Sequence, residues 1–279
     1  MRKIKEYLRH PLSFALLAFV LLSAAVSIIS ILLIVIYILV KGIPNLNLDL
    51  FSPDFTMDNL SMLPSIINTL YITALTLIIA VPIGVLSAVY LVEYSRKNSL
   101  FIKLIRITNE TLAGIPSIVY GLFGFLAFVI AKGWGYSMIA GVLTLAIMVL
   151  PVIIRTSEEA LLAVESSYRE ASFGLGAGKI RTIFKIVLPS AIPGILSGII
   201  LAIGRIVGET AALVYTAGTV PDAATSLSSS SRTLSVHLYC LLNEGLYTNE
   251  AYACAVVLLI VVIIINALSN KIAKRLKTI

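Results

Sequence analysis

Charged side chains are scarce in this 279-residue sequence. Asp, Glu, Lys and Arg make up 13% of the residues, whereas 59% are hydrophobic and the mean hydropathy is +1.02. Soluble domains are closer to one quarter charged and one half apolar. The apolar residues also form runs of roughly 20 residues, long enough to cross a bilayer. The composition excludes an ordinary soluble domain and predicts an all-α membrane protein, because a backbone in lipid must satisfy its own hydrogen bonds.

Cysteine and histidine are equally rare, with two residues of each. Cys240, Cys254, His10 and His237 form no cluster in the sequence, so we assign no disulfide and no metal site. The sequence also shows no Ser/His/Asp set that would indicate catalysis. We therefore expect no catalytic residue and no cofactor in this chain.

A nucleotide-binding loop is excluded at the one place that suggests it. Gly178-Lys179 has the Gly-Lys pair of a P-loop, but that motif requires Gly where Phe173 stands and Ser or Thr where Ile180 stands. We expect that the chain does not bind nucleotide itself.

Apolar runs divide the chain into predicted spans and loops. The six predicted spans are Leu12–Val40, Ile66–Val92, Leu112–Ala131, Tyr136–Ile154, Ala191–Val214 and Ala251–Leu268. The first is much longer than the core of a signal peptide, so we expect an uncleaved anchor. The resulting division is an N-terminus (1–11), a first span (12–40), an outer loop (41–65) and a core (66–279). The core contains five spans, one loop at 155–190 and another at 215–250.

The basic residues predict the orientation of these spans. Of 21 Lys and Arg residues, 17 lie in the N-terminus, the C-terminal tail, Glu93–Thr111 and Arg155–Lys185. Cytoplasmic loops carry an excess of Lys and Arg. This alternation predicts six spans with both termini in the cytoplasm. It also explains the net charge of +7 without a nucleic-acid partner.

The segment Glu170–Pro189 predicts a short helix, a turn and a second helix. Ser167 and Glu170 have the spacing of a capping box, which predicts a helix that starts at Tyr168. Gly176 is expected to end that helix, because glycine tolerates the left-handed conformation at a helix C-terminus. The second helix is predicted to begin at Lys179 and to stop before Pro189.

This segment resembles the EAA loop of ABC importer permeases, EAA-x3-G-x9-I-x-LP. The matching residues are Glu170, Ala171, Gly176, Ile186, Leu188 and Pro189. Ser172 replaces the second Ala of the motif, which exchanges one small residue for another. The resemblance implies that the loop is a cytoplasmic coupling helix on which an ATP-binding subunit docks.

Two charges lie inside the fifth predicted span. Arg205 and Glu209 are four residues apart, so they would share one helix face and can form a pair. A charge at the centre of a membrane helix costs about 2.5–3.5 kcal/mol, and such residues usually face a cavity or the bundle interior. Two interpretations stay open: an anion pathway, for which the planar fork of Arg is suited, or an ion pair that only joins two helices.

Glycine spacings predict where helices approach one another closely. The pairs Ser117/Gly121, Gly194/Gly198 and Gly204/Gly208 each have the small-xxx-small spacing.

Four stretches together resemble the PstA-type permease subunit of phosphate ABC importers. They are GIPSIVYGLFGF (114–125), PVIIRTSEEAL (151–161), the EAA loop and GRIVGETAALVYTAG (204–218). The resemblance covers roughly Pro64 to the C-terminus; Ala212 stands where the family often has Pro. It implies a type I importer-like permease with six transmembrane helices. By motif it also implies that Arg205, Glu209, Thr210 and Arg155 line the substrate pathway, although Arg155 could equally be a positive-inside anchor.

The resemblance also implies partners. They are a homologous PstC-like permease, two PstB-like ATP-binding subunits, a PstS-like phosphate-binding protein outside the membrane, and membrane lipid. ATP hydrolysis would then belong to the partner. The alternatives are a permease for another oxyanion such as sulfate or molybdate, a non-transport scaffold or sensor subunit, and an ion channel.

Overall fold

The structure, a computed structural model, describes residues 11–95 and 100–276. Most of the predicted N-terminus, Lys97 and the last three residues of the basic tail lie outside these ranges. No strand occurs in the ranges described. The helices are α1 (Pro11–Gly42), α2 (Leu63–Val89), α3 (Leu100–Ala113), α4 (Ser117–Gly124), α5 (Met138–Leu162), α6 (Ser166–Gly174), α7 (Lys179–Thr182), α8 (Leu188–Val207), α9 (Ala211–Thr216), α10 (Leu234–Glu244) and α11 (Thr248–Leu276).

Five helical segments are long and apolar enough to cross a membrane. They are Phe14–Asn45, Leu63–Tyr94, Met138–Leu162, Lys179–Val207 and Thr248–Lys271. A sixth span is present if the bent pair formed by α3 and α4 crosses the membrane as one unit. The predicted all-α architecture is therefore confirmed.

The third predicted span is not a straight helix. Ile102–Ala113 and Ser117–Ala131 meet at an angle of 101°. The break falls before Pro116, which lacks a backbone N–H and disfavours helical geometry in the preceding residue. Lys103, which the sequence assigned to a cytoplasmic loop, lies on helix α3.

Two other predicted boundaries are wrong. Helix α5 continues past Ile154 to Leu162, so the loop begins later than predicted. The helix that begins at Lys179 does not stop before Pro189 but runs on to Val207. A wide π-helical turn, Ile183–Val187, directly precedes α8. Such a turn relieves the clash between the proline ring and the carbonyl four residues earlier, so the helix continues.

Helix α5 is the centre of the bundle and packs against α2 and α8 through small residues. A Cβ on Gly84 would lie 2.6 Å from Ile153 Cγ2, and one on Gly198 would lie 1.9 Å from Thr156 Oγ1. Gly194 similarly faces Ala160. The close approach predicted for Gly194 and Gly198 is therefore confirmed.

The other two glycine pairs behave differently from each other. A Cβ on Gly121 would lie 2.8 Å from Ala212 Cα, so α4 and α9 do pack closely at this residue. Within residues 11–95 and 100–276, no atom beyond the neighbouring helical backbone comes within 4 Å of a Cβ placed on Gly204, and a Cβ on Gly208 would meet only the Gly204 carbonyl. The prediction that Gly204 and Gly208 pack closely against another helix is therefore wrong for the described part of this chain.

One side chain of α2 holds the long outer loop. Asn68 is fully buried. Its Nδ2 donates to the carbonyls of Asp222 and Arg232 at 2.9 and 3.2 Å, and its Oδ1 accepts from the Ala224 N–H at 2.9 Å. The loop from Gly218 to Thr233 is thus fixed to α2, and helix α10 follows it directly.

Candidate functional site

The fifth predicted span breaks near the two charged residues. Helix α8 ends at Val207, and the short helix α9 begins at Ala211. The break occurs where Glu209 Oε1 accepts a hydrogen bond from the Ala212 N–H at 3.0 Å. An acidic side chain that accepts from the first N–H groups of a helix stabilises a new helix start. Glu209 therefore begins α9 rather than continuing α8.

The predicted pairing of Arg205 with Glu209 is wrong. The break removes the helix geometry that would place residues four apart on one face. Glu209 is buried, with 8% of its surface exposed, and its backbone carbonyl accepts from Ser235 Oγ at 2.6 Å. Among the described residues, no carboxylate lies within 4 Å of the Arg205 guanidinium.

Arg205 lies beside a face of α8 that no other part of the described chain covers. Ser197, Leu201 and Gly208 are exposed, and Gly204 has open space above it. These residues recur at helical spacing, so they mark one continuous side of the helix. Arg205 is half-buried at the edge of this side and interacts electrostatically with Tyr120. We call Ser197, Leu201, Gly204, Arg205 and Gly208 the open face of α8.

Thr210 and Arg155 occupy different positions relative to this face. Thr210 is half-buried in the break, next to Glu209. Arg155 is exposed on α5, where its Nε lies 3.1 Å from Glu159 Oε1. The next residue, Thr156, packs against Gly198 of α8. Gly198 lies seven residues before Arg205, which is about 10 Å along the helix axis at 1.5 Å per residue. Thr210 therefore follows Arg205 closely in the chain, whereas Arg155 lies on another helix and has its own carboxylate partner.

Arg155 belongs instead to a polar cleft near the loop end of the bundle. The cleft has a volume of about 250 Å³, and Arg106, Glu110 and Glu158 also line it. Arg106 Nη2 lies 2.6 Å from Glu158 Oε1, so both arginines of the cleft already have carboxylate partners.

The turn of the EAA-like loop has the predicted geometry. Gly176 has a φ of +82°, in the left-handed region. Its N–H donates to the Phe173 carbonyl at 2.9 Å, and the Ala177 N–H donates to the Ser172 carbonyl at 3.1 Å. These two bonds form a Schellman motif at the end of α6. The prediction that Gly176 ends this helix is confirmed.

The predicted start of this helix is two residues late. Helix α6 begins at Ser166 with Glu165 as its N-cap, and no side-chain capping bond is formed there. Ser167 therefore lies inside the first turn, and the capping box predicted with Glu170 does not form.

The EAA-like loop has a packed inner side and an exposed apolar outer side. Ile183 and Val187 are buried against Val89 and Leu161, at the ends of α2 and α5. Leu175 is 90% exposed and Ile180 is 67% exposed. Of the motif residues, Glu170, Ala171, Gly176 and Pro189 are exposed, whereas Ile186 and Leu188 are half-buried.

Ser172 acquires a specific role in the structure. Its Oγ lies 2.8 Å from Thr182 Oγ1, and both residues are almost fully buried. The bond joins α6 to α7 across the turn. The exchange of Ser for Ala in the motif therefore adds a polar link between the two helices, a role that sequence reasoning missed. In the sequence, only the hydroxyl of Thr182, ten residues later, could have indicated this hydrogen bond.

Comparisons with known proteins place these features in context. Residues 80–278 match the family described as "Binding-protein-dependent transport system inner membrane component". The probable ABC transporter permease protein YqgI of Bacillus subtilis is 39% identical over 215 residues, 71% of this chain and 73% of the relative. The phosphate transport system permease protein PstA 1 of Mycobacterium tuberculosis is 43% identical over 151 residues, 54% of this chain. That match covers 49%, about half, of the mycobacterial protein.

The fold is also similar to solved structures. A bacterial ABC transporter involved in the import of the acidic polysaccharide alginate contains a chain that aligns with a TM-score of 0.61. The alignment covers 99% of each chain at 17% sequence identity, so the likeness concerns the fold alone.

Proposed function

Because the chain belongs to the family of binding-protein-dependent transport system inner membrane components, we propose that it is the permease subunit of an ATP-driven importer of inorganic phosphate. The observation that carries this proposal is Arg205 at the edge of the open face of α8, without a carboxylate partner among the described residues. The name of the mycobacterial relative, a phosphate transport permease, supports the choice of phosphate.

The open face of α8 is suited to line a pathway shared with a second subunit. It lies on a membrane-spanning helix, yet Leu201 is its only large apolar side chain and the rest of it is three small residues and an arginine. A homologous, PstC-like permease that covered this face would enclose Arg205 in a channel between the two chains. Arg205 would then donate two hydrogen bonds to an oxyanion. Thr210 would add a hydroxyl nearby, and Glu209 would fix the break that exposes both.

The EAA-like loop supplies the second part of the proposal. Its outer side presents Leu175 and Ile180 to solvent although both are apolar. Exposed apolar residues on a rigid motif are typical of a docking surface. A PstB-like ATP-binding subunit would bind here and hydrolyse ATP, and a PstS-like binding protein would deliver phosphate on the opposite side. Arg155, with its carboxylate partner near the loop end, is assigned a lesser pathway role.

Labelling of single cysteines tests the orientation that this mechanism requires. Both termini and the EAA-like loop are proposed to lie in the cytoplasm. Cysteines at Lys179 and Lys271 are expected to react only after a membrane-impermeant reagent reaches the inside, and those at Asp54 and Ser229 from the outside. Asp54 and Lys179 are exposed and Ser229 is half-buried, so Asp54→Cys is the main outer site and Ser229→Cys supports it. Labelling of Lys179→Cys from outside would contradict ATPase docking.

Transport of a panel of anions tests the substrate. The chain, its permease partner, the ATPase and the binding protein are reconstituted in vesicles and supplied with labelled phosphate, sulfate or molybdate. We expect uptake of phosphate that requires ATP and is not diminished by excess sulfate. Preferential uptake of sulfate or molybdate would favour the other-oxyanion alternative. An assembled complex that takes up none of them would favour a scaffold or sensor, and uptake without ATP would favour a channel.

A further inference from the structure

Arg169 points inward from the EAA-like loop, away from its exposed surface. The side chain is 19% exposed and lies against the ends of two other helices. Its Nε and Nη2 donate to Glu93 Oε1 at 3.0 and 2.8 Å. Its Nη1 donates to the Val164 carbonyl at 2.8 Å, and its Nη2 also donates to the Leu161 carbonyl at 2.9 Å. One side chain therefore joins α6 to the end of α5 and to the π-helical turn that extends α2.

The electrostatics of this junction require a cation. Leu161 and Val164 present carbonyls at the C-terminal end of α5, where the helix dipole is negative. The Leu161 carbonyl also accepts from the Val164 N–H at 3.4 Å. Glu93 lies in the turn Tyr90–Tyr94, at a second negative helix end, and its side chain is only 11% exposed. Without Arg169, the buried Glu93 carboxylate and the Val164 carbonyl would lose the donors described above, and the Leu161 carbonyl would keep only backbone N–H donors. Lysine has the charge but not the fork that reaches all three groups.

The second half of the loop is attached at the same place. The Lys179 ammonium lies 4.6 Å from the centre of the Tyr94 ring. The buried bond between Ser172 and Thr182 joins the two halves to each other. The loop is therefore held to the consecutive residues Glu93 and Tyr94 from both of its helices.

Packed helices continue from this junction to the open face. Ala160 and Thr156 of α5 lie against Gly194 and Gly198 of α8, with no room for an added methyl group. Close packing of this kind moves as a unit, because the interface has no slack to absorb a displacement. Arg205 lies on the same helix α8, seven residues after Gly198.

We propose that Arg169 is the positioning residue that couples the docking surface to the spans. It makes α6 move together with the cytoplasmic ends of α2 and α5, so that a displacement of the docked ATPase reaches α8 and Arg205. This inference rests on the proposed function. It gives a role to Arg169, which lies beneath the exposed docking surface and is not part of it.

The test measures how many anions are transported for each ATP hydrolysed. Reconstituted wild-type complex is compared with Arg169→Gln, Arg169→Lys and Glu93→Ala. We expect Arg169→Gln to retain ATP hydrolysis and bound ATPase while anions transported per ATP fall roughly tenfold. Arg169→Lys retains part of the ratio, and Glu93→Ala lowers it less because the two carbonyl contacts remain. Lys103→Gln, which removes an exposed charge on α3, is the matched control and leaves the ratio unchanged.

The combined variant separates coupling from a general loss of stability. If Arg169 acts through Glu93, the double variant Arg169→Gln/Glu93→Ala is no worse than Arg169→Gln alone. An unchanged ratio in Arg169→Gln overturns the inference. Loss of bound ATPase in proportion to transport, at a constant ratio, also overturns it, because the residue would then serve assembly only.

The measured ratio of anions transported to ATP hydrolysed tests the role of Arg169 independently of which anion is the substrate. The ratio is measured with whichever oxyanion the wild-type complex takes up, so a wild type that prefers sulfate contradicts the substrate assignment and leaves the coupling measurement intact. A wild-type complex that hydrolyses ATP but transports none of the anions contradicts the proposed function and this inference together.

Discussion

Phosphate uptake is expected to fall on the order of a hundredfold when Arg205 is replaced by Gln, because about two charge-assisted hydrogen bonds to the anion are lost. Glutamine keeps much of the side-chain length but removes the charge and the fork. Complex assembly is expected to stay normal, because glutamine keeps much of the side chain and Arg205 forms no ion pair with a described carboxylate that the change would leave unpaired. Uptake of labelled phosphate, normalised to complex in the membrane, measures the effect.

Three further variants make this result interpretable. Arg205→Lys keeps the charge and is expected to retain partial uptake. Lys132→Gln removes an exposed charge away from α8 and is expected to leave uptake unchanged. Glu209 is bonded to Ala212 rather than to Arg205, so Arg205→Gln/Glu209→Gln should not recover transport. Near-normal uptake in Arg205→Gln or in the double variant would refute the pathway role of Arg205.

Replacement of Gly176 by Val is expected to abolish association with the ATPase while the permease stays in the membrane. A β-branched residue at a φ of +82° carries strain on the order of 1–3 kcal/mol. No atom of the part of the chain that the structure describes lies within 4 Å of an added Cβ, so the effect comes from the backbone and not from a clash. Relief of the strain would open the Schellman turn and displace Leu175 from the docking surface.

The same substitution two residues later provides the control. Gly178 also has open space around it, but its φ is −73°, which valine tolerates. Gly178→Val is expected to cost at most about 1 kcal/mol, through a poorer helix cap, and to keep ATPase association. Gly176→Asn, whose side chain tolerates the left-handed region, should be intermediate. Equal amounts of ATPase recovered with Gly176→Val and with wild type would contradict the importance of this turn.

Features encoded by neighbouring residues could be predicted from the sequence. The apolar runs predict the spans because crossing a bilayer sets a minimum length. Gly176 predicts its turn because a left-handed backbone nearly requires glycine or asparagine at that residue. In both cases the physical requirement is local, and no distant partner decides the outcome.

Features that depend on distant partners could not be predicted in the same way. Helical periodicity placed Arg205 and Glu209 on one face, but the Ala212 N–H competes for the Glu209 carboxylate and the helix breaks. The inward direction of Arg169 depends on carbonyls at the end of α5 and on Glu93, 76 residues earlier. The bend before Pro116 had a local signal in Gly114-Ile115-Pro116, but the continuous apolar run concealed it.

Asn68 recognises the outer loop only through main-chain groups. Its three bonds reach two carbonyls and one N–H of the loop, and none of them involves a loop side chain. The side chains of Asp222 and Ala224 are therefore free to change as far as this attachment is concerned. The loop sequence can therefore vary at these two positions without loss of the attachment, whereas Arg232, whose guanidinium lies 4.6 Å from the centre of the Phe55 ring, is held through its side chain.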